Sequence, residues 1–153
     1  MDDELTAAAW EGIKLCRQGS WSQGVTRLAR VARDKHPDTK LPGLFYSYLG
    51  YGIALCEHRV REGLELCEKA VKAGFYEPDN FLNLSRAHLL RKNRRAAVKW
   101  LTKGLKVDPN HEGLLNLQND LGARKSPVLP FLPRSNSLNI MLGKMRYRLS
   151  KRR

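Results

Sequence analysis

An interval of 34 residues constrains the fold of this chain more than any other feature of its sequence. Small and apolar residues recur at that spacing in two sets, which are Gly63, Leu64, Cys67, Ala70 and Val71, then Ala97, Val98, Leu101, Gly104 and Leu105. Within each set, neighbouring positions are one or three residues apart, as on one face of a helix. A constant interval of this length predicts stacked helix-turn-helix units.

A second regularity places a small residue in each helix of a unit, where two helices can cross closely. The three pairs are Gly12 with Gly24, Gly50 with Gly63, and Ser85 with Ala97. The first and third pairs are 12 residues apart and the middle pair is 13 residues apart, which predicts one extra residue near the turn at Cys56–Arg59.

These intervals divide residues 5–122 into three units and a final helix. A capping helix is expected because the last apolar face of a short stack must be covered, and Asn110 is the predicted N-cap of that helix. The predicted ranges are 5–37, 44–77 and 78–111 for the units and 111–122 for the capping helix.

The third unit, residues 78–111, resembles the tetratricopeptide repeat. The residues that carry the resemblance are Phe81, Leu84, Ser85, His88, Ala97, Leu101, Gly104, Leu105 and Pro109. The resemblance implies an all-α fold, an α-α superhelix of three helix pairs with a capping helix. It also implies a protein or peptide ligand held in a concave groove along the first helix of each unit. His88 stands where the repeat has an aromatic residue, and we expect it to be a hydrogen-bonded core residue.

By the same resemblance, seven residues face the groove: Ile13, Tyr48, Tyr51, Leu82, Asn83, Arg86 and Leu89. Most of these side chains are aromatic or aliphatic, so an extended apolar or aromatic-rich peptide is the expected ligand. The function predicted first is therefore a non-enzymatic interaction scaffold.

Positive charge is concentrated at the C-terminal end of the chain. The formal net charge is +13, and nine Lys or Arg but no Asp or Glu follow Gly122. Three prolines predict an extended linker at residues 123–136. A basic amphipathic helix, with Ser137 as its predicted N-cap, is expected at residues 137–153.

Basic residues also support an alternative function, the binding of RNA or an acidic membrane surface. One group lies in the turn of the third unit and the other in the tail. The candidates are Arg91, Lys92, Arg94 and Arg95, then Lys144, Arg146 and Arg148.

The sequence lacks the motifs of common enzyme sites. It has no glycine-rich phosphate loop and no serine elbow, and its four histidines have no metal-ligand spacing. We therefore predict no enzymatic activity, no cofactor and no metal. The acidic start MDDEL is unlike a secretory signal, so a cytoplasmic location is expected.

Overall fold

The computed structural model describes residues 2–74, 76–122, 129 and 135–150. Across these residues the regular secondary structure is α-helix, with no strand, so the all-α prediction is confirmed. The chain forms two compact units, Met1–Asp120 and Leu121–Arg153.

The first unit contains seven helices, joined by connections of three or four residues except for ten residues between α2 and α3. They are α1 (Asp2–Arg17), α2 (Trp21–Asp34), α3 (Phe45–Cys56), α4 (Val60–Ala73), α5 (Pro78–Leu90), α6 (Arg94–Val107) and α7 (Glu112–Asp120). The most extensive packing joins α1 to α2, α3 to α4, and α5 to α6. The odd-numbered helices also pack in order, α1 on α3, α3 on α5 and α5 on α7, so they form a continuous layer.

Small residues allow the paired helices to approach each other closely, as the sequence predicts. A Cβ atom added to Gly50 would lie 2.6 Å from the Gly63 carbonyl oxygen, and one added to Gly24 would lie 2.9 Å from the Gly12 carbonyl oxygen. In the third pair, Ala97 is fully buried beside α5. A larger side chain at these crossings would have to displace backbone.

The turn of each helix pair contains one residue in the left-handed conformation. This residue lies two positions before the first residue of the second helix. These residues are Gly19, His58 and Lys92, with φ of 88°, 58° and 60°. Gly19 lies seven positions after Gly12, whereas His58 lies eight positions after Gly50. The extra residue of the middle unit therefore lies before the left-handed residue.

The first and third turns share the hydrogen bonds of a Schellman motif. The Ser20 N–H donates to the Leu15 carbonyl at 2.9 Å, and the Asn93 N–H donates to the His88 carbonyl at 2.9 Å. Both bonds satisfy carbonyl groups that a helix end leaves without an internal partner.

The interior of the first unit comprises two apolar clusters. One joins α1, α2 and α3 around Ile13, Leu28 and Phe45, and the other joins α4 and α5 around Leu64, Phe81 and Leu84. Burial of large apolar side chains of this kind contributes roughly 1.5–3 kcal/mol each.

His88 corrects one sequence-based expectation. The residue is buried, at 7% exposure, but neither ring nitrogen has a hydrogen-bond partner among the described residues. Burial lowers the pKa of His88 because the charged ring loses solvation. The ring therefore occupies the aromatic position of the unit by packing alone.

The second unit contains α8 (Ser137–Ser150). Its N-terminal N–H groups are capped by Asn136 instead of the predicted Ser137, because the Asn136 Oδ1 accepts from the Leu138 N–H at 3.0 Å. The Asn139 side chain forms two hydrogen bonds with the backbone of Leu129. Its Oδ1 accepts from the Leu129 N–H at 2.9 Å, and its Nδ2 donates to the Leu129 carbonyl at 3.0 Å. Most of the predicted linker at 123–136 lies outside the described residues.

The predicted amphipathic character of α8 can be assessed in its first two turns. Leu138, Met141 and Met145 lie on one side and are about half exposed.

Within the described residues, no helix has the length and apolar character required to cross a membrane.

Candidate functional site

A groove of about 700 Å³ runs across the odd-numbered helices of the first unit. Every odd-numbered helix contributes to its lining, and α2 adds the indole of Trp21. The lining residues are Cys16, Arg17, Gly19, Trp21, Tyr48, Asp79, Leu82, Arg86, His111, Glu112, Gly113 and Asn116.

Four polar side chains form a connected cluster in this groove, centred on Asp79. Arg17 donates to Asp79 Oδ2 from Nη2 at 2.6 Å, and the Tyr48 hydroxyl donates to the same oxygen at 2.7 Å. Arg17 Nε also donates to the Tyr48 hydroxyl at 3.0 Å. His111 Nε2 lies 3.1 Å from the other carboxylate oxygen, Oδ1. The cluster thus links α1, α3 and α5 to the residue that precedes α7.

His111 has a second role as the N-cap of α7. Its Nδ1 accepts from the Leu114 N–H at 3.2 Å, so the predicted cap, Asn110, is replaced by His111. Because Nδ1 is an acceptor, the ring proton is on Nε2, where it can be donated to Asp79. The histidine therefore connects the start of α7 to the carboxylate.

The surroundings of Asp79 favour its charged form. Burial alone would raise the pKa of this carboxyl, but the hydrogen bonds from Tyr48 and Arg17, together with the Arg17 charge, outweigh burial and lower it. The same arrangement raises the pKa of Tyr48, through burial first and the Asp79 charge second. A carboxylate and a neutral phenol thus face the groove at neutral pH.

The lowered pKa of Asp79 predicts a specific dependence of stability on pH. A depressed folded-state pKa stabilises the protein fully above the pKa of an unfolded aspartate, about 3.9, and this contribution is lost as the pH falls through the folded-state value. We expect the difference in free energy of unfolding between wild type and Asp79→Asn to be constant from about pH 5 to 7 and to shrink below about pH 4. Urea unfolding at a series of pH values measures it. An unchanged difference at pH 3 would contradict the proposed role of the carboxylate.

Aromatic rings form one wall of the groove. Trp21 stacks on Tyr48 with ring centroids 6.0 Å apart and meets Tyr51 edge to face at 4.8 Å. The Arg86 guanidinium lies over the Tyr51 ring at 5.8 Å. This wall offers apolar ring surface beside a cation.

The predicted groove residues divide into three groups. Tyr48, Leu82 and Arg86 line the groove. Tyr51 contacts the lining residues Trp21 and Arg86, whereas Leu89 is half-buried and does not contribute to the lining.

Ile13 and Asn83 require a correction, because both side chains are buried at 1% exposure. Ile13 packs in the first apolar cluster. Asn83 Nδ2 donates to the Ser47 hydroxyl at 2.9 Å, which joins α5 to α3. Neither residue presents a side chain to the groove.

The four basic residues predicted at the turn of the third unit do not line the groove. Arg91, Lys92, Arg94 and Arg95 are exposed at the turn before α6 and in its first turn. Lys144 is exposed on α8, and the side chains of Arg146 and Arg148 lie outside the described part of that helix.

Arg17, Asp79 and His111 are site residues that the sequence analysis missed. Asp79 follows Pro78 in the first turn of α5, where an acidic residue is ordinarily explained by the helix dipole. Arg17 is similarly ordinary as the last residue of α1. The sequence alone contains no signal that pairs these two residues.

Comparison with known proteins yields no family assignment. The sequence matches no protein-family model and no curated protein. Among the described residues, no group of three or more His, Cys, Asp or Glu side chains is arranged to hold a metal ion.

Proposed function

We propose that this chain is a non-enzymatic, tetratricopeptide-type scaffold that binds an extended peptide in the groove across α1, α3, α5 and α7. The observation that carries the proposal is the groove itself, which combines an aromatic wall with a polar cluster whose members bind one another. The stacked layer of odd-numbered helices, the close crossings at small residues and the repeated turns support the superhelical interpretation.

The hydrogen bonding of the cluster favours binding over catalysis. Asp79 accepts from Arg17 and Tyr48 at one oxygen and lies within hydrogen-bond distance of His111 at the other, while His111 Nδ1 accepts from the backbone of α7. A general acid or base needs a proton-transfer position directed at a substrate. These groups are directed at one another, so we assign them a structural role in forming the groove floor.

The remaining lining residues indicate which peptide would fit. Trp21 provides most of the apolar contact area, since Leu82 is only 5% exposed. Arg86 provides a cation, and the exposed Asn116 amide can donate to and accept from a peptide backbone. We therefore infer an extended segment with an apolar side chain next to an acidic one.

Selection from a displayed library of random 12-residue peptides, using the full chain as bait, tests the proposal. Affinities of the selected synthetic peptides would be measured by calorimetry for wild type and for Arg86→Ala/Asn116→Ala. We expect the double variant to weaken binding at least tenfold, a combined loss of about 1.4 kcal/mol from removing one arginine and one amide contact.

A matched variant, Arg33→Ala/Asn119→Ala, removes the same side-chain types from exposed positions of α2 and α7 outside the groove. It should change affinity less than twofold. Equal losses in the two variants, or no enrichment of any peptide, would contradict peptide binding in this groove.

As part of the same proposal we place the protein in the cytoplasm. Cys16, Cys56 and Cys67 are free thiols, as in a reducing compartment. Burial raises the pKa of Cys16 to about 12, so this thiol is unreactive.

A further inference from the structure

The exposed side of α6 is a continuous basic face. No acidic residue occurs from Asn80 to Val107, and α6 contains five Lys or Arg. Its buried residues, Ala97, Leu101 and Gly104, occupy one side of the helix. At about 100° per residue, four cations fall on the opposite side. These residues, here called the α6 basic face, are Arg95, Lys99, Lys103 and Lys106.

Little within the protein compensates the charge of this face. Among the described residues, no carboxylate forms an ion pair with Arg95, Lys99 or Lys106. The nearest acids along the chain are engaged elsewhere, Asp79 in the polar cluster and Asp108 with the Asn110 N–H at 2.9 Å.

The arrangement also opposes the stability of α6. The first turn of the helix has cations and no acid, at the end where the helix dipole favours negative charge. Arg95, Lys99 and Lys103 follow at intervals of four residues, a spacing at which like charges destabilise a helix. Arg95 and Lys99 thus cost the helix stability and form no ion pair among the described residues, which indicates a function outside the helix.

The equivalent helix of the preceding pair shows that this pattern is specific to α6. Counted from the left-handed residue of each turn, the four positions in α4 are Arg61, Glu65, Lys69 and Lys72. There the charges are mixed, and Arg61 pairs with Glu65 at 3.5 Å. The second helix of a pair in this protein therefore does not require an all-basic face.

We propose that the α6 basic face binds the phosphate backbone of a double-helical nucleic acid without sequence preference. From Arg95 to Lys106 the cations extend over about 16 Å of helix, at steps of about 6 Å or less. One strand of a duplex presents a phosphate about every 3.4 Å of its axis, so phosphates are available along the whole length of the face. This site is separate from the groove and does not depend on the peptide-binding proposal.

Two observations favour a duplex over other polyanions. The apolar side of α6 is used in packing, so the helix has no apolar face to insert into a membrane. Trp100 is partly buried and its ring is covered by the Lys103 ammonium at 4.3 Å, so the face presents no open aromatic platform for unstacked bases.

Fluorescence anisotropy of a labelled 20-base-pair DNA duplex, titrated with the full chain over a range of salt concentrations, tests the inference. The variant Lys99→Gln/Lys103→Gln/Lys106→Gln should weaken binding at least tenfold at 0.1 M salt. It should also reduce the slope of log affinity against log salt by about 2 to 3, because each phosphate contact contributes about 0.9. Its melting temperature should stay close to that of wild type, because relief of the repulsion within α6 is offset by loss of the Lys103–Trp100 contact and of the Lys106 charge in the last turn.

The control Arg61→Gln/Lys69→Gln/Lys72→Gln lowers the net charge equally, at the α4 positions equivalent to Arg95, Lys103 and Lys106. It should change affinity less than threefold, and a loss equal to that of the α6 variant would overturn the inference in favour of net charge. A loss confined to Lys144→Gln/Arg146→Gln/Arg148→Gln would assign binding to the tail. The last comparison measures binding of wild type and the α6 variant to vesicles containing phosphatidylserine. Vesicle binding that depends on α6, without duplex binding, would also overturn the inference.

Discussion

Replacing Gly50 with leucine should lower the free energy of unfolding by about 3 kcal/mol, through overpacking at the crossing of α3 and α4. A Cβ atom at this position would lie 2.6 Å from the Gly63 carbonyl oxygen and 2.8 Å from the Leu66 Cβ. These neighbours are backbone and the base of a side chain, so neither can rotate away, and the two helices must separate. Urea unfolding followed by far-UV circular dichroism measures the loss.

The matched control for this prediction is Gly43→Leu. A Cβ atom at Gly43 would meet no heavy atom within 4 Å, and its φ is not positive, so leucine there should change stability by less than about 0.5 kcal/mol. Similar losses at Gly43 and Gly50 would show that the crossing of α3 and α4 is wrongly placed.

Truncation of Asp79 to alanine should cost about 2 to 3 kcal/mol of folding free energy, because the change leaves several partners unpaired at once. The Tyr48 hydroxyl is buried and loses its acceptor, and the His111 Nε2–H loses its own. The Arg17 side chain is 50% exposed, so water replaces part of its lost contact and the cost stays below that of a fully buried ion pair.

Asp38→Ala is the control for this change, since Asp38 is 96% exposed and lies 3.7 Å from an exposed His36. A surface pair of this kind contributes at most about 1 kcal/mol, so we expect a negligible change in the urea midpoint. If Asp79→Ala also leaves the urea midpoint unchanged, the cluster does not stabilise the stack.

The helix pairs and their crossings could be predicted because small residues at constant intervals permit few alternatives. Gly12, Gly24, Gly50 and Gly63 each lack a side chain at a crossing where one would meet a neighbour within 3 Å. Spacing also located the extra residue of the middle unit near its turn, and the structure places it before His58.

The groove floor could not be predicted, because its residues do not occupy equivalent positions in the units. Arg17 ends α1, Tyr48 is the fourth residue of α3, Asp79 is the second residue of α5, and His111 precedes α7. Arg17 lies five residues after Gly12, Tyr48 two before Gly50 and Asp79 six before Ser85, so the 34-residue period does not relate them. The groove-facing positions inferred from the repeat pattern were also wrong for Ile13 and Asn83, because close helix packing directs these side chains into the core.

The bond between Arg17 and Asp79 has a consequence for how the molecule opens. It joins residues 62 positions apart and connects the first helix pair directly to the third. In a simple linear array each unit contacts only its neighbours, so terminal units can fray independently. Here α1 cannot detach without breaking a bond to α5, and α7 is tied to the same carboxylate through His111. The ends of the stack are therefore coupled, and the backbone amides of α1 should exchange with solvent through openings that also involve α5.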